Sequence, residues 1–177
     1  MPVEQRFPPG PPPLPPLPLD AVAVGRWRWR DLVATEHREF LAEQQNPPAE
    51  VRADVVERLG PALIAIDAAL PWIWFSSVYR CPGLNAAIGG ARNSEHMRGC
   101  AADVHFRCGL VEAFERIVAL DLPELDQLIY EHGRWIHVGI APPGQKARHT
   151  LEMCWTPGEY EPFNPADPRV LATGGSP

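Results

Sequence analysis

The stretch NSEHMRGCAADV, residues 93–104, carries one histidine, His96, and one aspartate, Asp103, seven positions apart with Gly99 between them. Its second half runs on as GCAADVHF, which reads as a β-strand with Ala101, Asp103 and His105 on one face and Ala102, Val104 and Phe106 on the other. A carboxylate set among alanine and valine in a strand has to be paired, protonated or bound to a metal, because an unpaired buried charge is too costly. A histidine beside such a strand has a plainer reading as a hydrogen-bonded core residue. These residues alone therefore leave a polar core network and a metal site both open. Gly99 lets the backbone turn sharply between the two groups, and small Ala101 leaves room beside them.

Working outward, WIWFSSVYR, residues 72–80, is aromatic and β-branched and reads as a strand that ends at Arg80. CPGLNAAIGGARNSEH then gives a short helical turn and a glycine-rich loop. Downstream, GLVEAFERIVALDL is an amphipathic helix, LDQLIYE and RWIHVGIA are two strands joined at His132-Gly133, and TLEMCW is a candidate fifth strand. Upstream, WRWRDLVATEHREFLAEQQ starts as a strand and turns helical until Asn46-Pro47-Pro48 stops it. Val51, Val55, Val56 and Leu59 share one helical face, continued by Leu63, Ile64 and Ile66, and Gly60-Pro61 inside this run leaves two helices or one kinked helix open. Helices first and then a mainly antiparallel sheet predict an α+β domain with the sheet covered on one side.

The chain has 177 residues, enough for one domain with a sizeable core, and 45% of them are hydrophobic. A net charge of −6 argues against a phosphate backbone as the main partner, so no nucleic acid is expected. Arg26, Arg28 and Arg30 alternate with Trp27 and Trp29, which reads as one strand face whose arginine stems cover apolar surface. Proline is the compositional outlier, at 22 residues. PPGPPPLPPLPL near the start reads as an extended polyproline arm, with Leu14, Leu17 and Leu19 spaced so as to dock in a groove. The expected organisation is this arm over residues 1–24, a folded domain over 25–160 and a C-terminal tail over 161–177. Four cysteines, Cys81, Cys100, Cys108 and Cys154, form no C-x-x-C pair and read as buried thiols. No apolar run is long enough for a membrane span, and the beginning lacks the basic-then-apolar order of a signal peptide, so cytoplasmic synthesis is expected.

SEHMRGCAAD fits S-x-H-x-x-G-x-A-x-D, with Ser94, His96, Gly99, Ala101 and Asp103 in register. This resembles the zinc D-Ala-D-Ala carboxypeptidase family, peptidase family M15, whose fold is shared with the hedgehog signalling domain. SSVYRCPGLNAAIGG is similar to the S-G-Y-R-S-P-x-x-N-x-x-x-G-G stretch of the family's phage and prophage branch, and LDQLIYEHGRWIHVGI is similar to its closing D-Q-L-I-x-E … W-x-H segment. The resemblance spans roughly residues 27–140. It implies a hedgehog/DD-peptidase-like fold with N-terminal helices on the sheet, and Zn²⁺ held by His96, Asp103 and His137. Two imidazoles and a carboxylate suit zinc and leave a fourth position open. It further implies Glu131 as general base and acid, Arg80 polarising the scissile carbonyl, Ser94 hydrogen-bonding substrate, and Trp135 flooring the pocket. His105, on the same face as Asp103, either supports a ligand from behind or competes for the third ligand position. Val78 departs from the family's usual glycine, and Arg134 stands where many members have the histidine of E-x-x-H.

The activity implied is hydrolysis of a peptide bond in peptidoglycan stem peptides, either terminal D-Ala-D-Ala or an internal L-Ala-D-Glu-type link, by a monomer released to the cell wall or carried on a phage particle. The alternative is a hedgehog-like binding module that keeps zinc without catalysis. Glu131 and Arg80 together favour chemistry.

Overall fold

The structure, a computed structural model, describes residues 15–70 and 72–173. The strands are β1 Val22–Val24, β2 Trp27–Arg28, β3 Trp74–Ser77, β4 Ala101–His105, β5 Leu125–Glu131, β6 Trp135–Ile140, β7 Thr150–Thr156 and β8 Glu159–Pro162. The helices are α1 Trp29–Leu32, α2 Leu41–Gln44, α3 Ala49–Asp54, α4 Gly60–Ala69, α5 Pro82–Ala87, α6 Leu110–Val118 and α7 Pro168–Thr173. Six strands make one sheet in the order β3-β4-β6-β5-β7-β8, and β1 pairs with β2 separately. Every pairing in the large sheet is antiparallel except β5 with β7. The class is α+β, as the order of elements in the sequence predicts, and the parallel β5–β7 pair makes the otherwise antiparallel sheet a mixed one.

Alternation along the strands divides the sheet into two faces. Val104, Leu128, Tyr130, Ile136 and Val138 point to one side, where they pack with Phe114 and Ile117 of α6, with Leu63 and Ile66 of α4 and with Leu59 just before α4. Asp103, His137, Ile129 and Glu131 point to the other side, which forms the wall of a cleft. Packing of α6 follows from its sequence, because Ala113, Phe114 and Ile117 fall on one stripe and are buried together.

The Gly60-Pro61 step does not break the helix. Residues Val55–Leu59 form a π-helical turn that joins α3 to α4, and the Gly60 N–H reaches back to the Val55 carbonyl. That five-residue step widens the helix just before Pro61, which has no N–H to give and whose ring would crowd a regular turn. Val56 and Ile64 face outward, 40% and 48% exposed, so the apolar stripe is narrower than the sequence pattern suggested. The segment Trp27–Gln45 is less regular than expected. It holds two one-turn helices, α1 and α2, with a loop between them where the Thr35 hydroxyl accepts the His37 N–H.

Within the proline-rich segment, residues 1–14, including Leu14, lie outside the described residues. Leu17 is buried in the core and Leu19 packs against it, while Val22–Val24 forms β1. At the other end, α7 returns to the sheet: Val170 is fully buried, and the Tyr130 hydroxyl and Thr173 Oγ1 lie 2.5 Å apart. β8 and α7 carry too few apolar residues to be read from pattern.

Gly99 closes the 3₁₀ turn Glu95–Arg98 with φ +70°, and a Cβ there would lie 2.7 Å from the Val51 carbonyl and from a Val55 methyl. Both the left-handed backbone and the closeness of the α3–π segment exclude a side chain. Gly99→Ala is expected to cost roughly 2–4 kcal/mol, combining the left-handed penalty with overpacking. Denaturant unfolding would check this, and a loss below ~0.5 kcal/mol, the scale of ordinary surface substitutions, would contradict it.

Candidate metal centre

Three side chains from three segments converge on the cleft floor. His96 comes from the 3₁₀ turn before Gly99, Asp103 from β4 and His137 from β6, where it is the direct cross-strand partner of Asp103. Val78 O lies 2.7 Å from His96 Nδ1 and takes its N–H, which leaves Nε2 with a lone pair facing inward. His96 Nε2 lies 3.2 Å from Asp103 Oδ1 and 3.2 Å from His137 Nδ1, and His137 Nδ1 lies 3.0 Å from the same Oδ1. All three residues are buried.

This triangle can be compared with what a metal requires. Ligand atoms about 2.0–2.1 Å from zinc at tetrahedral angles sit roughly 3.3 Å apart. The observed edges of 3.0–3.2 Å match that spacing. The donor set is chemically apt too, since neutral imidazole and carboxylate suit borderline divalent metals. Without a cation between them, inward lone pairs on two nitrogens and an oxygen would need a proton to hold them together. The group could hold a metal ion.

Electrostatics agrees with this arrangement. Burial would push the Asp103 carboxyl up, but attraction and hydrogen bonds from His96 and His137 hold it well below the usual carboxylate range. Burial lowers His96, which keeps it neutral and able to act as a ligand. For His137 burial is outweighed by the nearby carboxylates of Asp103, Glu131 and Glu95, and its pKa is raised. A metal would take the place of that proton.

The other residues singled out from the sequence line the same cleft, of about 810 Å³: Arg80, Ser94, Glu131 and Trp135. Glu131 ends β5, and its Oε2 accepts the indole N–H of Trp135 at 2.9 Å, so Trp135 orients the carboxylate as well as walling the cleft. Burial raises the Glu131 pKa, and His137 opposes that rise. His132 and Gly133, both with positive φ, make the tight turn that folds Trp135 back beside Glu131. Arg80 donates from Nη2 to Asp103 Oδ2 at 3.2 Å, which occupies one carboxylate oxygen and leaves Oδ1 for the centre. His105 is not part of the triad; its ring stacks on Trp74 instead.

Buried Gln44 helps set this position. Its amide donates to Tyr79 O at 2.6 Å and accepts from the Cys81 N–H at 2.8 Å, clamping the backbone on either side of Arg80. All four cysteines are free thiols, and burial pushes Cys100 up to about 11. None takes part in the triad.

One group at the cleft escaped the sequence reading. Asp126 is buried and accepts the Arg148 backbone N–H at 2.6 Å and its Nε at 2.9 Å, and Arg148 Nη2 lies 3.3 Å from Glu95 Oε1. Glu95 in turn packs on Gly139, where a Cβ would come within 2.7 Å of its carboxylate. These contacts pin the return loop between β6 and β7 across the sheet end next to His137. Asp126 lies in the apolar run LDQLIYE, so the argument applied to Asp103 would have found it. Arg148 stands beyond Ile140 and carries no such signal.

Two comparisons bear on this centre. No curated protein matches the chain in sequence. A family profile described as Peptidase M15 matches residues 46–139, more than half of the chain, from the turn before α3 to the residue two past His137. Its span takes in all three converging side chains together with Arg80, Ser94, Glu131 and Trp135, and on that match the chain belongs to the M15 family of peptidases.

Proposed function

We propose that the chain is a zinc-dependent peptidase of peptidoglycan stem peptides, with Zn²⁺ held by His96, Asp103 and His137. The observation that carries this reading is the 3.0–3.2 Å convergence of two imidazole nitrogens and one carboxylate oxygen beside a second carboxylate, Glu131, in one cleft. Bound there, the metal supplies Lewis-acid polarisation of the scissile carbonyl and makes water acidic enough to attack at neutral pH. Glu131 takes the proton of the attacking water and returns it to the leaving amine. Trp135 holds the carboxylate in place for both transfers. Arg80 keeps Asp103 oriented through Oδ2 and adds positive charge where the carbonyl oxygen becomes an anion. Ser94 lines the cleft and serves as a hydrogen-bonding group for the peptide backbone. A carboxylate in general-base position favours catalysis over a binding module that merely retains the metal.

Whether the bond is terminal or internal depends on the cleft walls contributed by residues 142–160, and soluble stem peptides of defined sequence would decide it by mass spectrometry of the fragments. Among the described residues no helix is long and apolar enough to cross a membrane.

Purified without chelator, the chain should carry one zinc by elemental analysis, and Asp103→Ala should abolish it, since two imidazoles alone make a weak site. Wild type without zinc, or an Asp103→Ala variant that retains it, would contradict the ligand set. Glu131→Gln should keep zinc and fold but lose roughly 10²- to 10⁴-fold in turnover of wall peptide, the usual worth of a positioned base. Near-normal turnover in the zinc-loaded variant would reassign the base to another group. Burial raises the Glu131 pKa, so in the metal-free protein this carboxyl should titrate above the ordinary glutamate value of about 4.3 when followed by NMR. Titration at or below that value would contradict its burial in the cleft.

A further inference from the structure

Trp74, His105, Trp135 and Glu131 form one row across four neighbouring strands. Trp74 is the cross-strand partner of His105, and Trp135 is the partner of Glu131. Val104 pairs with Ile136 in the antiparallel β4–β6 ladder, which sets His105 beside Trp135. The metal row, Asp103 and His137, lies two residues further along the same strands and on the same face. The rings follow this register. Trp74 and His105 are stacked, 5.4 Å apart and 11° from parallel, and His105 and Trp135 lie 6.2 Å apart. An aromatic strip thus leads from the Glu131 carboxylate out to β3, the edge strand, with Trp74 about 10 Å from Trp135 over two strand spacings.

The outer end of the strip lies open. Trp74 is 50% exposed and Trp72 is 64% exposed, and no described segment covers them. Large indoles left this open on a small protein mark a contact surface more often than waste. Together with Arg26, Ile73 and Arg107 they line a second cavity, of about 420 Å³, that contains no carboxylate. The Arg107 guanidinium lies over the Trp72 ring at 5.0 Å, and among the described residues it makes no hydrogen bond or ion pair. Arg26 is already held by Asp67.

These features select among ligands. A pyranose ring presents a flat face of C–H groups that stacks on an indole, while its hydroxyl and acetamido groups radiate outward to hydrogen-bond donors such as Arg107. A nucleic acid strand would also stack, but the chain's net charge of −6 opposes it. A protein partner would need a broader surface than two indoles and an isoleucine. The strip is also continuous with the metal cleft, so whatever it binds is joined to what the cleft binds.

We propose that the cavity lined by Trp72, Trp74 and Arg107, at the outer end of this strip, is a saccharide-binding subsite that holds the glycan from which the scissile peptide hangs. The identity of the glycan rests on the wall-peptidase reading; the stacking chemistry does not. The consequence is a preference for peptide still attached to sugar over the same peptide free.

Two assays separate the two claims. Tryptophan fluorescence is titrated with the N-acetylglucosamine trimer and with peptide-free N-acetylglucosaminyl-N-acetylmuramic acid. Hydrolysis is then compared for one stem peptide with and without the attached disaccharide. Wild type should bind both saccharides. Trp74→Ala should weaken them about tenfold, the order of one lost stacking partner, and Trp74→Phe should recover most of the loss. The advantage of the sugar-linked substrate, seen in KM rather than kcat, should disappear in Trp74→Ala. Should that variant misfold by circular dichroism, Trp72→Ala and Arg107→Gln, both at exposed positions, carry the same test. Absence of saccharide binding by folded wild type would overturn the subsite whether or not peptide is cleaved, and so would binding untouched by these substitutions. Saccharide binding by a protein that cleaves no wall peptide would keep the subsite and remove the peptidase reading instead.

Discussion

Asp103 faces His137 directly across the antiparallel β4–β6 pair, and their 3.0 Å contact is the fixed point around which the cleft is arranged. Side chains alternate along a strand, so a one-residue slip of β4 against β6 would drive Asp103 into the face where Val104 packs. The apolar face therefore enforces the polar one. Val104, Ile136 and Val138 are fully buried against the helices, and their burial sets the register that brings carboxylate and imidazole together. A buried carboxylate without partners would cost several kcal/mol, so packing and charge pairing specify the same alignment.

The third donor is set by different means. His96 stands on a short turn, and short turns do not fix a ring by themselves. The Val78 carbonyl takes the outer ring proton, Gly99 lets the turn close against α3, and Gln44 clamps the backbone on either side of Arg80, beyond the end of β3. Each of these acts on a group one step removed from the centre, the kind of support that lends a metal site its precision. Val78, where the family pattern has glycine, keeps its side chain in the core and offers only its carbonyl to the site, so the departure leaves the histidine's anchor intact.

The convergence of His96, Asp103 and His137 was legible in the sequence because a carboxylate inside an apolar strand must be paired or bound, and because the spacing from Ser94 to Asp103 matched a known pattern. The strands β3 to β7 and helix α6 could be read from alternation and from one apolar stripe. What escaped has physical reasons. The π-turn before Pro61 leaves no mark on hydrophobic periodicity. β8 is exposed along its whole length, and α7 buries one residue, Val170, so neither has a pattern to read. Arg148 earns its place through Asp126 and Glu95, contacts that span 22 and 53 residues and cannot be inferred from local spacing.

The central claim is that His96, Asp103 and His137 bind zinc through two nitrogens and one oxygen, with no sulfur. X-ray absorption at the zinc edge of the purified protein tests it most directly. The account predicts nitrogen and oxygen neighbours only, at about 2.0–2.1 Å, with outer-shell scattering from two imidazole rings. A neighbour at about 2.3 Å, the zinc–sulfur distance, would place a cysteine such as Cys154 on the metal and contradict the account, as would scattering from a single imidazole.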